Sequence, residues 1–147
     1  METLARSVRN TPHHQNDIWG LTYHPASFAG LQVVLQAISN SNPLIRLTGL
    51  QTSAVHVEIR REGITHISAT PTWLRLMCSD GVVHNHVSNI TTGGEIADRT
   101  LIDQARTWFP NATFRNIYAS TESGSVLLSD GDLFRVPDNI ADRKSVV

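Results

Sequence analysis

Several things this chain has little of narrow its function before any motif is considered. It has one cysteine, Cys78, which excludes an internal disulfide framework and a Cys-x-x-Cys zinc site and fits a reducing compartment such as the cytoplasm. No apolar run approaches the roughly 20 residues of a membrane helix, and Met1-Glu2-Thr3-Leu4 lacks a basic region leading into a hydrophobic one. A secreted or membrane-anchored protein is therefore not expected. The formal net charge is −1, so no whole-chain field draws nucleic acid, membrane or an acidic partner. Arg6 and Arg9, one helical step apart, are too few for a nucleic-acid stripe. Neither a G-x-x-x-x-G-K-[ST] phosphate loop nor a G-x-S-x-G elbow is present, and Ser123-Gly124-Ser125 is neither. Small-molecule chemistry on a single α/β unit is what remains for 147 residues of which 40% are apolar.

Short apolar runs alternate with segments of helical period, the pattern of strand–helix–strand units and a mostly parallel sheet of five strands flanked by helices. Ile18 to Tyr23 reads as the first strand. After Pro25, a helix carries Phe28, Leu31, Leu35 and Ile38 at three- and four-residue steps, a stripe expected to face the sheet. Leu44 to Leu47 is a second strand, and Ser53 is the expected cap of a helix that turns Val55 and Ile59 inward and ends at Gly63. A third strand, Thr65 to Ser68, leads to Thr70-Pro71, a capping hydroxyl followed by proline at the first helical position, and a helix with Trp73, Leu74 and Met77. Ser79 to Val87 reads as a surface connection and Asn89 to Thr92 as a fourth strand. Asp98 caps a helix whose Leu101, Ile102, Ala105, Trp108 and Phe109 share one face, stopped by Pro110 before a fifth strand, Thr113 to Tyr118. Val126 to Leu128 and Leu133 to Val136, about a turn at Asp130-Gly131, form a short β extension. Residues 1–17 are weakly specified helix or loop, 18–136 make up the α/β unit, and 137–147 read as a tail that stops short, as though cut.

In open parallel sheets, ligands gather beyond the carboxyl ends of the strands. The segments following the first, third, fourth and fifth strands are His24-Pro25, Ala69-Thr70-Pro71, Gly93-Gly94-Glu95 and Ala119-Ser120-Thr121-Glu122. Paired glycines let backbone approach a ligand, although such a pair after a strand is more commonly a turn. Tyr118 offers a face on which a base could stack, Thr121 a donor to a phosphate oxygen, and Glu122 a hard oxygen for Mg²⁺. Each has a plainer role in a core or a solvated loop.

Taken together these segments say more than each does alone. Ser-Ala-Thr-Pro-Thr at 68–72, Thr-Thr-Gly-Gly-Glu at 91–95, Phe-Pro-Asn-Ala at 109–112 and Asn-Ile-Tyr-Ala-Ser-Thr-Glu at 116–122 resemble, in order and spacing, the AMP-forming acyl-activating ligases: acyl-CoA synthetases, nonribosomal-peptide adenylation domains and luciferases. Leu21 to Gly30 is similar to that superfamily's acid-pocket motif, and the resemblance runs from Ile18 to Arg135. It implies that Tyr118 stacks on adenine, Thr121 holds the α-phosphate and Glu122 binds Mg²⁺. Asn116, Ala119 and Ser120 belong to the same nucleotide motif, with alanine at 119 where the superfamily usually has glycine. Gly93, Gly94 and Glu95 look like the loop between the adenine and acyl pockets, and His24, Pro25 and Phe28 lie where the acid is read. The amino-acid-activating branch commonly has aspartate at the position of His24, so the resemblance implies a carboxylic acid without an α-amino group. It also implies ATP as cofactor, AMP as product, and CoA or a carrier-protein phosphopantetheine as acyl acceptor. A Ser/Thr/Gly-rich phosphate loop, a ribose-binding aspartate motif and a domain with the assisting lysine are missing from these residues. One subdomain of the ligase, not competent alone and partnered by the missing subdomains, is therefore the expectation. The alternative is a non-catalytic nucleotide-binding or interaction remnant.

Outside those motifs, His84 and His86 project to one side of an extended segment, as zinc ligands sometimes do, but no cysteine or carboxylate cluster completes a set. They are expected to be solvated, as are His13 and His14. Cys78, beside Met77 on an apolar helix face, is expected to be a small buried hydrophobe with no base to activate it.

Overall fold

The computed structural model describes residues 14–120, 125–130 and 133–135, with side chains described for 14–117. Its sheet has the order β2-β1-β3-β4-β5-β6-β7, where β1 is Trp19–Leu21, β2 Leu44–Arg46, β3 His66–Ala69, β4 Asn89–Gly93, β5 Thr113–Ser120, β6 Ser125–Asp130 and β7 Leu133–Arg135. The first five strands are parallel and the last two antiparallel, as the short β extension in the sequence implied. Four helices join the parallel strands: α1 Phe28–Ser39, α2 Thr52–Glu62, α3 Pro71–Ser79 and α4 Arg99–Trp108. None of the described helices is long and apolar enough to cross a membrane.

The ends of these helices follow from local chemistry. Thr70 accepts from the Trp73 amide with Pro71 next in the helix, and Asp98 accepts from the Leu101 amide, so each satisfies an orphan donor. Gly63 closes α2 in the left-handed region at φ 65°, where a Cβ would be strained. Ser53 is not a cap: α2 starts one residue earlier, after Gln51, and that N-cap makes no side-chain hydrogen bond.

The core lies on one face of the sheet, where Ile59 of α2, Leu74 of α3 and Leu101 of α4 meet Ile67 and Ile90, with Phe109 completely buried beside them. Ile67, Ile90 and Phe114 stand in register on adjacent strands, so successive strands present one apolar row to the helices. Cys78 is buried with this cluster, and burial pushes its thiol up to about 11, so it is inert as expected. α1 packs separately. The chain steps from β1 out to β2 and then back across to β3, and right-handed crossovers place the two intervening helices on opposite faces.

α1 corrects the sequence reading. Its buried residues are Gly30, Val33 and Ala37, while Phe28, Leu31 and Ile38 are 40%, 40% and 67% exposed. Both sides of this helix are apolar, and the small residues go inward because they let the helix axis approach the sheet closely. The larger stripe is left outside.

Candidate functional site

The strand order reverses at β1, so the helices that follow the carboxyl ends of β1 and β3 leave on opposite faces of the sheet, the place where open parallel sheets take ligands. Three of the sequence motifs are bonded together there. Thr22 Oγ1 donates to the Ser68 carbonyl at 2.7 Å, which joins the end of β1 to the end of β3. Next to it, the Tyr23 hydroxyl lies against the Ser68 side chain and the Gly93 backbone, so one phenol touches β1, β3 and β4. Burial pushes this phenol up to about 12, with the Glu95 charge acting the same way and the bonds from Ser68 and Gly93 opposing. It is a fixed neutral strut at physiological pH.

Above this floor, Thr72 Oγ1 in the first turn of α3 donates to Glu95 at 3.1 Å to Oε2 and 3.4 Å to Oε1. Arg75 holds Asp98, the cap of α4, at 2.9 Å. α3 is thus tied to the Gly93-Gly94-Glu95 turn through Glu95 and to the start of α4 through Asp98. Gly94 has φ 85°, and a Cβ there would meet nothing within 4 Å, so its peptide faces open space in a conformation that glycine adopts without strain. On β5, Asn116 is buried and accepts from Thr92 Oγ1 at 3.2 Å, an inward anchor rather than a rim group. Gly93 is in register with Ile117, so the backbone of Tyr118, Ala119 and Ser120 continues past the glycines along the same edge, paired on its other side with β6. Thr121 and Glu122 lie outside the described residues.

His24, Pro25 and Phe28 are exposed on the loop that opens α1. The loop is closed by the His24 carbonyl, which accepts from the Ser27 amide at 2.9 Å and from Ser27 Oγ at 2.8 Å, while Ser27 Oγ accepts in turn from Gly30 at 3.1 Å. A Cβ on Gly30 would stand 2.1 Å from the His24 carbonyl oxygen. Backbone meets backbone there, and no rotamer change can relieve the clash. Gly30→Ala is expected to cost about 2 kcal/mol, the overpacking penalty outweighing the gain in helix propensity. Urea unfolding of the two chains measures it, and a stabilised variant would show that this loop moves freely.

Tyr23, Ser68 and Thr72 had no role in the sequence reading, although each lies inside or beside a motif. The available signal was a tyrosine one residue before the acid-motif histidine at a strand end. His84 is also not as expected, whereas His86 is exposed. His84 is buried, 2.8 Å from His56 Nδ1, and the His86 ring meets the Ile59 carbonyl at 2.9 Å. These histidines hold the 80–88 connection onto α2.

No known family model matches the sequence, and no curated protein matches it. Its fold does match solved structures. VinN in complex with L-aspartate superimposes with a TM-score of 0.70 at 21% identity over 80% of this chain and 30% of VinN. The o-succinylbenzoate CoA synthetase MenE from Bacillus subtilis, bound with the product analogue OSB-NCoA, gives 0.66 at 19% identity over 97% of this chain and 27% of that one. The N-terminal subdomain of Klebsiella oxytoca NpsA in complex with 3-hydroxyanthranilyl-AMSN gives 0.70 at 17% identity over 86% and 34%. This chain therefore spans about a third or less of each of these solved chains, and it has the α/β fold of a subdomain-sized part of the adenylate-forming ligases.

Proposed function

We propose that the chain forms one wall of the active site of an AMP-forming acyl-activating ligase. In this reading the ligase joins a carboxylic acid to the α-phosphate of ATP, releases pyrophosphate and passes the acyl-adenylate to the thiol of CoA or a carrier-bound phosphopantetheine. What supports it above all is the meeting of the motifs. Thr22 links the acid-motif strand to Ser68, and Thr72 links the second motif to Glu95. Residues 46 and 23 positions apart in sequence thereby meet along one edge.

Under this proposal Tyr118 stacks on adenine, while Gly93 and Gly94 let the nucleotide approach their backbone. The left-handed turn at Gly94, with open space where a Cβ would stand, fits that use. Glu122 would hold Mg²⁺, which takes hard carboxylate oxygens along with phosphate oxygens and, when bound, offsets phosphoryl charge during displacement. Thr121 donates to the same phosphate, and Asn116 keeps β5 in register through Thr92. His24, Pro25 and Phe28 contact the acid. VinN is solved with L-aspartate, but His24 offers no fixed negative charge to an ammonium group, so a carboxylic acid without an α-amino group is the proposed substrate. The exposed stripe of Phe28, Leu31 and Ile38 on α1 is the surface on which the rest of a ligase would pack.

Pyrophosphate exchange across a panel of carboxylic acids tests this reading. With these residues inside a complete ligase, Glu122→Gln is expected to lower exchange about 100-fold, in the range for losing one electrostatic stabiliser. The 147 residues alone should give little exchange, since one wall cannot position ATP. Wild-type exchange by the Glu122→Gln enzyme would remove the basis for the assignment.

A further inference from the structure

At the opposite end of the strands, where β1, β3 and β4 begin, three side chains converge that the ligase reading does not use. Asp17 precedes β1 and His66 opens β3, and both are buried; His14, in the turn before them, is partly exposed. Asp17 Oδ2 lies 2.7 Å from His14 Nδ1 and 3.3 Å from His66 Nε2, and the three ligand atoms all lie within 4.8 Å of one another. We propose that His14, Asp17 and His66 form a site for a divalent cation of the zinc type, bound as a brace across the amino ends of the strands.

The hydrogen bonds around His66 point the same way. Its Nδ1 is 2.9 Å from Thr65 Oγ1, which receives the Ile18 amide at 2.9 Å and can give its own proton to the Ile18 carbonyl at 3.4 Å. Asn89 Nδ2 lies 2.9 Å from Nε2, so Nε2 accepts, the ring proton sits on Nδ1 toward Thr65 Oγ1, and the Nε2 lone pair lies on the side of Asp17. The Nε2 lone pair and the buried Asp17 oxygen, 3.3 Å apart, face one small volume in which a cation would satisfy both. A ligating imidazole typically donates its other N–H to such a second group, as His66 does here.

Bonds of about 2.0–2.1 Å in tetrahedral array require donors about 3.3–3.4 Å apart. The Asp17–His66 separation already has that value, the His14–Asp17 pair at 2.7 Å must open by a fraction of an ångström, and the partly exposed His14 ring, now within 4.8 Å of His66 Nε2, can swing to the separation that a shared ion sets. His14 is held in place through its carbonyl, which accepts from Asn42 Nδ2 at 2.7 Å. Asn89 Nδ2, 2.9 Å from His66 Nε2 and 3.4 Å from Ser88 Oγ, would swing away as an ion takes that lone pair, and water would complete the set. Two imidazoles with a carboxylate oxygen suit zinc and its neighbours rather than Mg²⁺ or Ca²⁺.

The test is titration of the full chain with CoCl₂, followed by displacement with ZnCl₂. One equivalent should bind with the visible bands of tetrahedral cobalt, zinc should displace it, and zinc should raise the melting temperature. Asp17→Asn should weaken binding at least about 100-fold and His14→Ala at least about 10-fold, with the second variant leaving the buried pair intact and the chain folded. His86→Ala, an exposed ring elsewhere, should bind as wild type does. The proposal is overturned by absence of binding at millimolar cobalt or zinc, which would leave a proton shared between Asp17 and His66, or by wild-type affinity in His14→Ala. Neither result touches the ligase reading, whose residues are at the other end of the sheet.

Discussion

Phe109→Ala is expected to destabilise the chain by about 4 kcal/mol, the range for emptying a phenylalanine site in a core that cannot collapse around it. Phe109 follows α4 with no exposed surface, and its amide is bonded to the Ala105 carbonyl at 2.8 Å. Its ring lies against His84, with centroids 5.4 Å apart and planes 21° apart. Truncation would open a cavity between the core and the 80–88 connection. That loss is a large part of the 5–15 kcal/mol by which domains are ordinarily stable. Urea unfolding at neutral pH measures it, and a cost below about 1.5 kcal/mol would mean that the site fills in by repacking.

Acidification is expected to remove about 3 kcal/mol between pH 7 and pH 4, through the histidine pair beside that ring. His84 Nε2 and His56 Nδ1 are 2.8 Å apart, and His56 Nε2 is 3.2 Å from Asp80 Oδ2. The rings are 12° from parallel with centroids 5.1 Å apart, which with so short an N–N distance is an edge-to-edge hydrogen bond rather than a face-to-face stack. If His56 donates to Asp80, its Nδ1 must accept, so His84 donates from Nε2 and keeps a bare Nδ1. That atom is buried without a partner. A second proton would sit there with nothing to receive it. Burial, and then the charges of His56, Arg60 and His86, accordingly lower His84 to about 4 from 6.5. Burial also lowers His56, with Asp80 opposing.

The sign follows from which state takes up protons. Between pH 6.5 and 4 the unfolded chain protonates His84 and the folded chain does not, so the contribution is complete above 6.5 and declines as the pH falls toward 4. About 2.5 pH units at about 1.4 kcal/mol each give the stated loss. Unfolding curves at pH 7, 5.5 and 4 measure it, with His84→Leu as the control whose stability should fall less by about this amount. Equal pH dependence in the two chains would remove His84 as the cause. Phe109→Ala should weaken the effect too, because water reaching the ring lets it keep a proton in the folded state.

The rim, by contrast, was legible in outline. Placing Gly93-Gly94-Glu95 beside the end of the fifth strand required only the strand–helix rhythm and the rule that parallel sheets bind ligands at their carboxyl edge, although that strand runs on through Tyr118 to Ser120 by pairing with β6. The bonds that make the rim a single structure were not legible. Thr22 to Ser68 and Thr72 to Glu95 depend on which strands become neighbours, and no short window of sequence contains that. The histidines show the same thing: His84, in a polar stretch, looks solvated until α2 and Phe109 are packed over it.

By itself the sequence determined the helix ends and the face of α4. Thr70-Pro71, Gly63 and Asp98 act on amides within four residues, and α4 has only one apolar side to bury. The tertiary structure alone decided the orientation of α1, where both sides are apolar and periodicity has nothing to choose between. There the sheet selected Gly30, Val33 and Ala37, because close approach to a packed surface favours small side chains over the larger stripe opposite.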